Sequence, residues 1–326
     1  MEFRTTFNIA ASPLRITYYD PVMFIGSCFA SSIGNQFEAG HMPVIINPTG
    51  TVYNPVSIIN TIDFVTGRAD FKLNDLQNYN GKWFSFDHYT DFSSTDCNEL
   101  LVRINRTKKH NAKFLKSAKY LFITFGTARV YRFLETGKIV SNCHKVPASR
   151  FSDELLTVEE IVTLWSNKLD WLETHCTELK VIFSISPVRH LKDGAHGNQV
   201  SKSILFLAVE ELLKHHSAPG YFPAYELLMD DLRDYRFYDD DMLHPSASAI
   251  EYIWNAFTNC YFDKETIGLW KEVSGIRKAV LHRIRSQSDA EIKEFAENII
   301  SRIDLIVKKA PNIDLKSERN YFLELL

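Results

Sequence analysis

"FIGSCFASS", residues 24–32, sets small residues and a cysteine directly behind the apolar run Val22, Met23, Phe24, Ile25. That run is short and has no polar alternation, so it reads as a strand buried on both faces. Behind it Phe29, Ile33 and Phe37 recur at four-residue spacing, which marks one face of a helix. A strand turning into a helix through Gly26-Ser27 predicts the first unit of an alternating fold. Three further apolar runs repeat the theme: PVIIN (43–47), KYLFITFG (119–126) and LKVIFSIS (179–186). Helical patterns lie between them, among them Val158, Ile161, Val162, Trp165, Leu169 and Leu172. The expected fold is α/β, a three-layer α/β/α sandwich with a mainly parallel, flavodoxin-like sheet.

The rhythm breaks in two places. Residues 68–98 are polar and aromatic, with Trp83, Phe84, Phe86 and Tyr89, and read as an insertion. Beyond residue 245 only helical patterns remain. Ser248 and Glu251 have capping-box spacing before Ile253, Trp254 and Phe257. Ile292, Phe295, Ile299, Ile303 and Ile306 then mark a long amphipathic helix, whose stripe is expected to pack within the chain. The division predicted is an α/β domain over 1–262 and a helical extension over 263–326.

Composition narrows the function. The chain has 326 residues, 45% of them hydrophobic, and a net charge of -3 from 37 basic and 40 acidic residues that are interspersed. No basic field exists to hold nucleic acid, so no nucleic-acid partner is expected. The first residues, MEFRTTFNIAASPLRI, lack the unbroken apolar stretch of a signal peptide, and no segment is long enough to span a membrane. Five scattered cysteines without a CxxC pair read as reduced thiols, which with the preceding points predicts a cytoplasmic protein. No cofactor is expected: Gly26 is not followed by fingerprint glycines and no GxxxxGK[ST] occurs. His190, Asp193 and His196 share a loop but not a recognised ligand spacing, so no metal is expected either.

Ser27 stands at a strand's carboxyl end, where doubly wound sheets bind ligands, and directly before a helix start whose N–H groups face outward. Such a serine serves either as a helix cap or as a nucleophile. A nucleophile needs a base, and YRFYDDDMLHPSASAIEYIW supplies His244 with Asp241 three residues earlier, close enough to orient the imidazole. Cys28, one step into the helix, reads as a small buried hydrophobe pointing away from the site. Arg189 and His190, behind LKVIFSIS, and His144, in NCHKVP, are candidate substrate-binding residues. An arginine there suits a carboxylate or phosphate.

Gly26-Ser27 after the first strand, with Asp241-x-x-His244 near the end of the α/β region, resembles the SGNH/GDSL hydrolase superfamily. More narrowly, Gly26-Ser27-Cys28-Phe29-Ala30 resembles the GSCFA family. NPTGTVYNP (47–55), TFGTARVY (124–131), NCHKVP (142–147), SPVRHLKDG (186–194) and DYRFYDDDMLHPS (234–246) extend the likeness. The resemblance implies Ser27 as nucleophile, His244 as base and Asp241 as its partner. It also implies oxyanion donors from the Ser27 backbone and from Gly50. Its third motif departs from the pattern: Ala128 stands where those hydrolases carry an oxyanion-hole asparagine, leaving Thr127, Arg129 or another group to replace it. Losing one such donor costs about 3 to 4 kcal/mol of transition-state stabilisation. The reading is a serine-dependent hydrolase of a small-molecule or carbohydrate ester. Two alternatives stay open, an acyltransferase to a hydroxyl acceptor and a non-catalytic binding protein on the same scaffold.

Overall fold

The computed structural model describes residues 5–67, 71–216, 219–281 and 288–326. Its main sheet holds five parallel strands: β1 (Val22–Gly26), β2 (Val44–Ile46), β3 (Tyr120–Phe125), β4 (Lys180–Ile185) and β5 (Gly220–Tyr221). The spatial order is β2-β1-β3-β4-β5, so the winding reverses between β1 and β3. Every residue of β1 and β3 is buried, as the unbroken apolar runs require of strands covered on both faces. All four runs seen in the sequence become strands. β5, only two residues long, has no apolar signal of its own.

Gly26 lies opposite Thr124 in the β1–β3 register. Its φ is +151°, and a Cβ there would stand 2.3 Å from the Thr124 carbonyl oxygen. Only glycine fits, and this contact lets the chain leave the sheet sharply into α1 (Cys28–Ala39). The other helices on the α/β rhythm are α2 (Pro55–Val65), α3 (Cys97–Leu115), α4 (Val158–His175) and α5 (Gly194–His215). α4 starts on a reciprocal Thr157–Glu160 capping box.

Of the expected insertion, residues 68–70 lie outside the described residues. The rest holds a small antiparallel sheet of Gln77–Tyr79, Lys82–Phe84 and Ser93–Ser94. A second small sheet joins Arg129–Phe133, Ile139–Val140 and Phe151–Leu155. TFGTARVY therefore contributes to two sheets, passing from β3 through a turn into the second. The helix α6 (Ala247–Tyr261) is capped differently from expectation. Ser246 Oγ accepts from the Ala249 N–H at 3.3 Å, because the helix starts directly after Ser246 and places Ser248 inside its first turn.

Chain packing separates two compact units, Met1–Asn8, Pro21–Gly34 and Val44–Trp254 in the first and Ile9–Asp20, Asn35–Pro43 and Asn255–Leu326 in the second. The main sheet belongs wholly to the first. The second contains α7 (Lys264–Leu281), α8 (Asp289–Lys309) and α9 (Lys316–Leu323). The stripe of α8 buries Ala296, Ile299, Ile303 and Ile306 within this single chain. In the same unit Trp270 occupies the space a Cβ on Gly40 would take, and its Nε1 donates to Gln36 O at 2.6 Å.

Candidate active site

A pocket of about 430 Å³ opens at the carboxyl ends of the sheet, walled by Cys28, Tyr53, Thr127, Arg129, Arg189, His190 and His244 among others. It gathers the segments that follow β1, β3 and β4, at the winding reversal where doubly wound sheets hold ligands. A second hollow of about 450 Å³, beside Asn60, Asp63 and Arg132, contains none of the residues expected from the sequence.

Asp241 and His244 are joined as their spacing predicts. His244 Nδ1 lies 2.5 Å from Asp241 Oδ2, while Asp241 Oδ1 accepts from the backbone N–H of Leu243 at 2.8 Å and of His244 at 2.9 Å. Met242, at φ +59°, bends the loop enough for this return. The His244 N–H, followed by the imidazole itself, pulls the Asp241 carboxyl down to about 2. An ionised carboxylate only accepts, so the Nδ1 of His244 carries a hydrogen, and in the neutral ring Nε2 is the nitrogen left to accept.

The β1–α1 turn differs from the sequence expectation. Ser27 is fully buried and absent from the pocket wall, and its Oγ has no hydrogen-bond partner among the described residues. Cys28, expected to point away, is half-buried and lines the pocket. The reason is geometric: Cα–Cβ bonds in a helix tilt toward its N-terminus, so the first helical side chain leans out over the strand ends. Burial pushes the Cys28 thiol up, against the opposing pull of the Phe29 N–H and its own N–H and of the Lys202 charge.

The expected oxyanion donors are already engaged. The Ser27 N–H donates to Thr124 O at 3.3 Å, that of Gly50 to Asn47 O at 2.7 Å and that of Thr127 to Tyr53 O at 3.0 Å. The Thr127 hydroxyl, on the pocket wall, bonds Ser201 Oγ at 2.9 Å. Gly50 is off the wall, and a Cβ on it would meet Tyr89 Cβ at 2.2 Å, which accounts for glycine without chemistry. Ala128 is completely buried.

His190 offers what these lack. Its Nε2 is buried without a partner, its ring meets Tyr53 edge-on at 5.5 Å, and its backbone N–H is fixed by Asn198 Oδ1 at 2.9 Å. Burial, with the nearby Lys202 and His244 charges, pulls the imidazole down to about 4, so it is neutral near pH 7. Lys202, which sequence reasoning missed, lies behind the site. Its Nζ donates to Gly126 O at 2.7 Å and Ser186 O at 2.6 Å, tying the chain after β3 to the chain after β4. Burial pulls this amine down to about 7. The available signal was that Lys202 is the one Lys, Arg, Asp or Glu residue between Asp193 and Glu210.

The remaining candidates separate. Arg129 reaches the pocket but is held by Asp153 at 2.9 Å and Asp193 at 3.2 Å. Arg189 packs its guanidinium over Tyr238 and Tyr235, with centroids at 5.1 and 5.7 Å, and Nη2 donates to Met242 O at 2.5 Å. This ties SPVRH to the loop carrying His244. His144 does not join the site: its ring stacks on Phe84 at 4.3 Å, and Nε2 bonds Ser85 O and His88 O at 2.9 and 2.8 Å. Its backbone is left-handed, at φ +47°, which turns the imidazole into the small aromatic core. His190, Asp193 and His196 do not converge as metal ligands; among the described residues the grouping within ligand range is Asp170, Glu173 and His216, with Asp170 and Glu173 exposed.

The sequence pattern defining the GSCFA family matches residues 21–257. The chain belongs to the GSCFA family. The matched span runs from β1 into α6, so all the pocket residues of this GSCFA protein named above lie inside it. No curated protein matches the chain. Among solved structures it is similar to a "putative platelet activating factor from Streptococcus pneumonia", at 11% identity and a TM-score of 0.39, over 74% of this chain and 83% of that one.

Proposed function

We propose that this GSCFA protein is a hydrolase of ester or acyl groups. The observation that carries the reading is the Asp241–His244 pair, whose histidine shares the pocket wall with Cys28 of the turn that follows β1. His244 Nε2 takes the proton of a nucleophile from that turn and returns it to the leaving group, while Asp241 holds the tautomer and balances the imidazolium. In its Nε2–H tautomer the neutral His190 donates to the developing oxyanion, in the role for which the third motif has no asparagine. The SGNH resemblance supports the same reading and implies Ser27 as the nucleophile. Water as acceptor makes the reaction a hydrolysis. No described helix is long and apolar enough to cross a membrane. Five unpaired thiols support the cytoplasmic placement.

The test is turnover of short p-nitrophenyl esters by the unmutated protein, His244→Ala and Asp241→Asn. Turnover that depends on both residues supports the hydrolase. Absence of turnover in the unmutated protein, or turnover indifferent to His244, sinks it.

A further inference from the structure

We propose that the nucleophile is the Cys28 thiol and not the Ser27 hydroxyl, an assignment that rests on the hydrolase reading above. Access separates the two residues first. Cys28 lines the pocket shared with His244 and His190, whereas Ser27 is fully buried and off its wall. A nucleophile must reach a carbonyl carbon at roughly 3 to 3.5 Å, and a side chain without solvent contact does not meet a substrate in the pocket.

Burial and the Asp241 charge raise the Cys28 thiol, and the groups at the helix start oppose that shift. Cys28 is the first residue of the 12-residue helix α1, and its sulfur is within hydrogen-bonding influence of the N–H groups of Cys28 and Phe29. Those unpaired N–H groups and the positive end of the helix dipole favour negative charge. Lys202 lies behind the thiol and, when protonated, adds positive charge there; it is held by two carbonyls and has no ion pair among the described residues. Cys143 touches the same pocket but heads no helix, and Lys192 is its charged neighbour. It provides an internal control.

The chemistry balances with water as the co-reactant. His244 removes the thiol proton, and the sulfur forms a bond to the ester carbonyl carbon as the π pair moves onto oxygen. Collapse expels the alkoxide, which leaves as alcohol with the proton from His244. Water then attacks the thioester, His244 takes a water proton, and the acid departs as the sulfur recovers that proton.

The experiment alkylates the full chain with substoichiometric iodoacetamide, maps the modified peptides, and follows p-nitrophenyl acetate turnover on the same samples. Cys28 is expected to react at least about 10-fold faster than Cys143 and to slow about 10-fold in His244→Ala. Turnover should fall in step with Cys28 modification, and an acid-quenched acyl adduct should map to Cys28. The conservative Cys28→Ser variant, checked for folding by thermal melting, should lose turnover by about 10² or more. An adduct on Ser27, or full turnover after Cys28 is blocked, overturns the assignment and leaves the hydrolase reading standing. His244-dependent reactivity of Cys28 without ester turnover supports the nucleophile and sinks the hydrolase reading. A Cys28 no more reactive than Cys143 overturns the assignment.

Discussion

Asp241 holds His244 at two points, taking the backbone N–H on Oδ1 at 2.9 Å and the imidazole Nδ1 on Oδ2 at 2.5 Å. Both side chains are 47% exposed, so the pair is an orienting device at the pocket rim and not a buried ion pair. Asp241→Asn keeps an acceptor but also permits the other tautomer, with the hydrogen on Nε2. Ester turnover should fall by about 10² to 10⁴. Adding His244→Ala should cost little more, because the two residues act as a unit. Additive losses in a steady-state double-mutant cycle would refute the coupling.

His190 keeps its buried Nε2 without a partner, which suits a donor waiting for an oxyanion. His190→Phe should lower kcat by about 10² to 10³ with little change in KM, and His190→Gln should restore part of the loss. With its pKa pulled down to about 4, the ring stays neutral from pH 5 upward, so its contribution should be flat there. A loss confined to KM would assign His190 to substrate binding instead.

Gly26 is tied to Thr124 by space. Gly26→Ala puts a methyl 2.3 Å from the Thr124 carbonyl oxygen at a φ of +151°. Neither backbone yields easily, and the expected loss is about 3 kcal/mol or more in urea unfolding. A variant as stable as the parent would mean that the turn has room the structure does not show.

His88 is a buried histidine with neither ring nitrogen partnered, set among Phe64, Phe71 and Phe92 at 4.9, 5.0 and 4.8 Å. Burial pulls it down to about 3 from the ordinary 6.5. Between those values the unfolded chain binds the proton and the folded chain does not, so stability rises with pH through that window and is lost as pH falls. The contribution is on the order of 5 kcal/mol across the full window. His88→Phe should flatten the acid limb of the stability curve measured by denaturant titration from pH 3 to 7. An unchanged slope would show that other groups set it.

Much of the fold was legible because burial on both faces writes itself locally. VMFIG, KYLFITFG and LKVIFSIS had to be covered strands, and Phe29, Ile33 and Phe37 had to be a helix face; PVIIN also forms a strand, but β2 is half-buried. Asp241 and His244 were legible for the same reason, since three residues of chain suffice to bring a carboxylate onto an imidazole. The two-residue β5 was not, because its place at the sheet edge depends on pairing with β4.

The sequence by itself determined the alternation of covered strands and helices, the glycine turn after β1 and the Asp241–His244 pair, all set by neighbours within a few residues. Tertiary structure decided which of Ser27 and Cys28 faces the pocket, that His144 stacks on Phe84 away from it, that His190 Nε2 is buried there without a partner, and that Lys202 ties Gly126 to Ser186 behind it. Those outcomes depend on the direction of a side chain at a helix start and on strands paired across more than fifty residues. Local pattern carries neither, because a residue's neighbours in sequence do not fix what lies across the sheet from it.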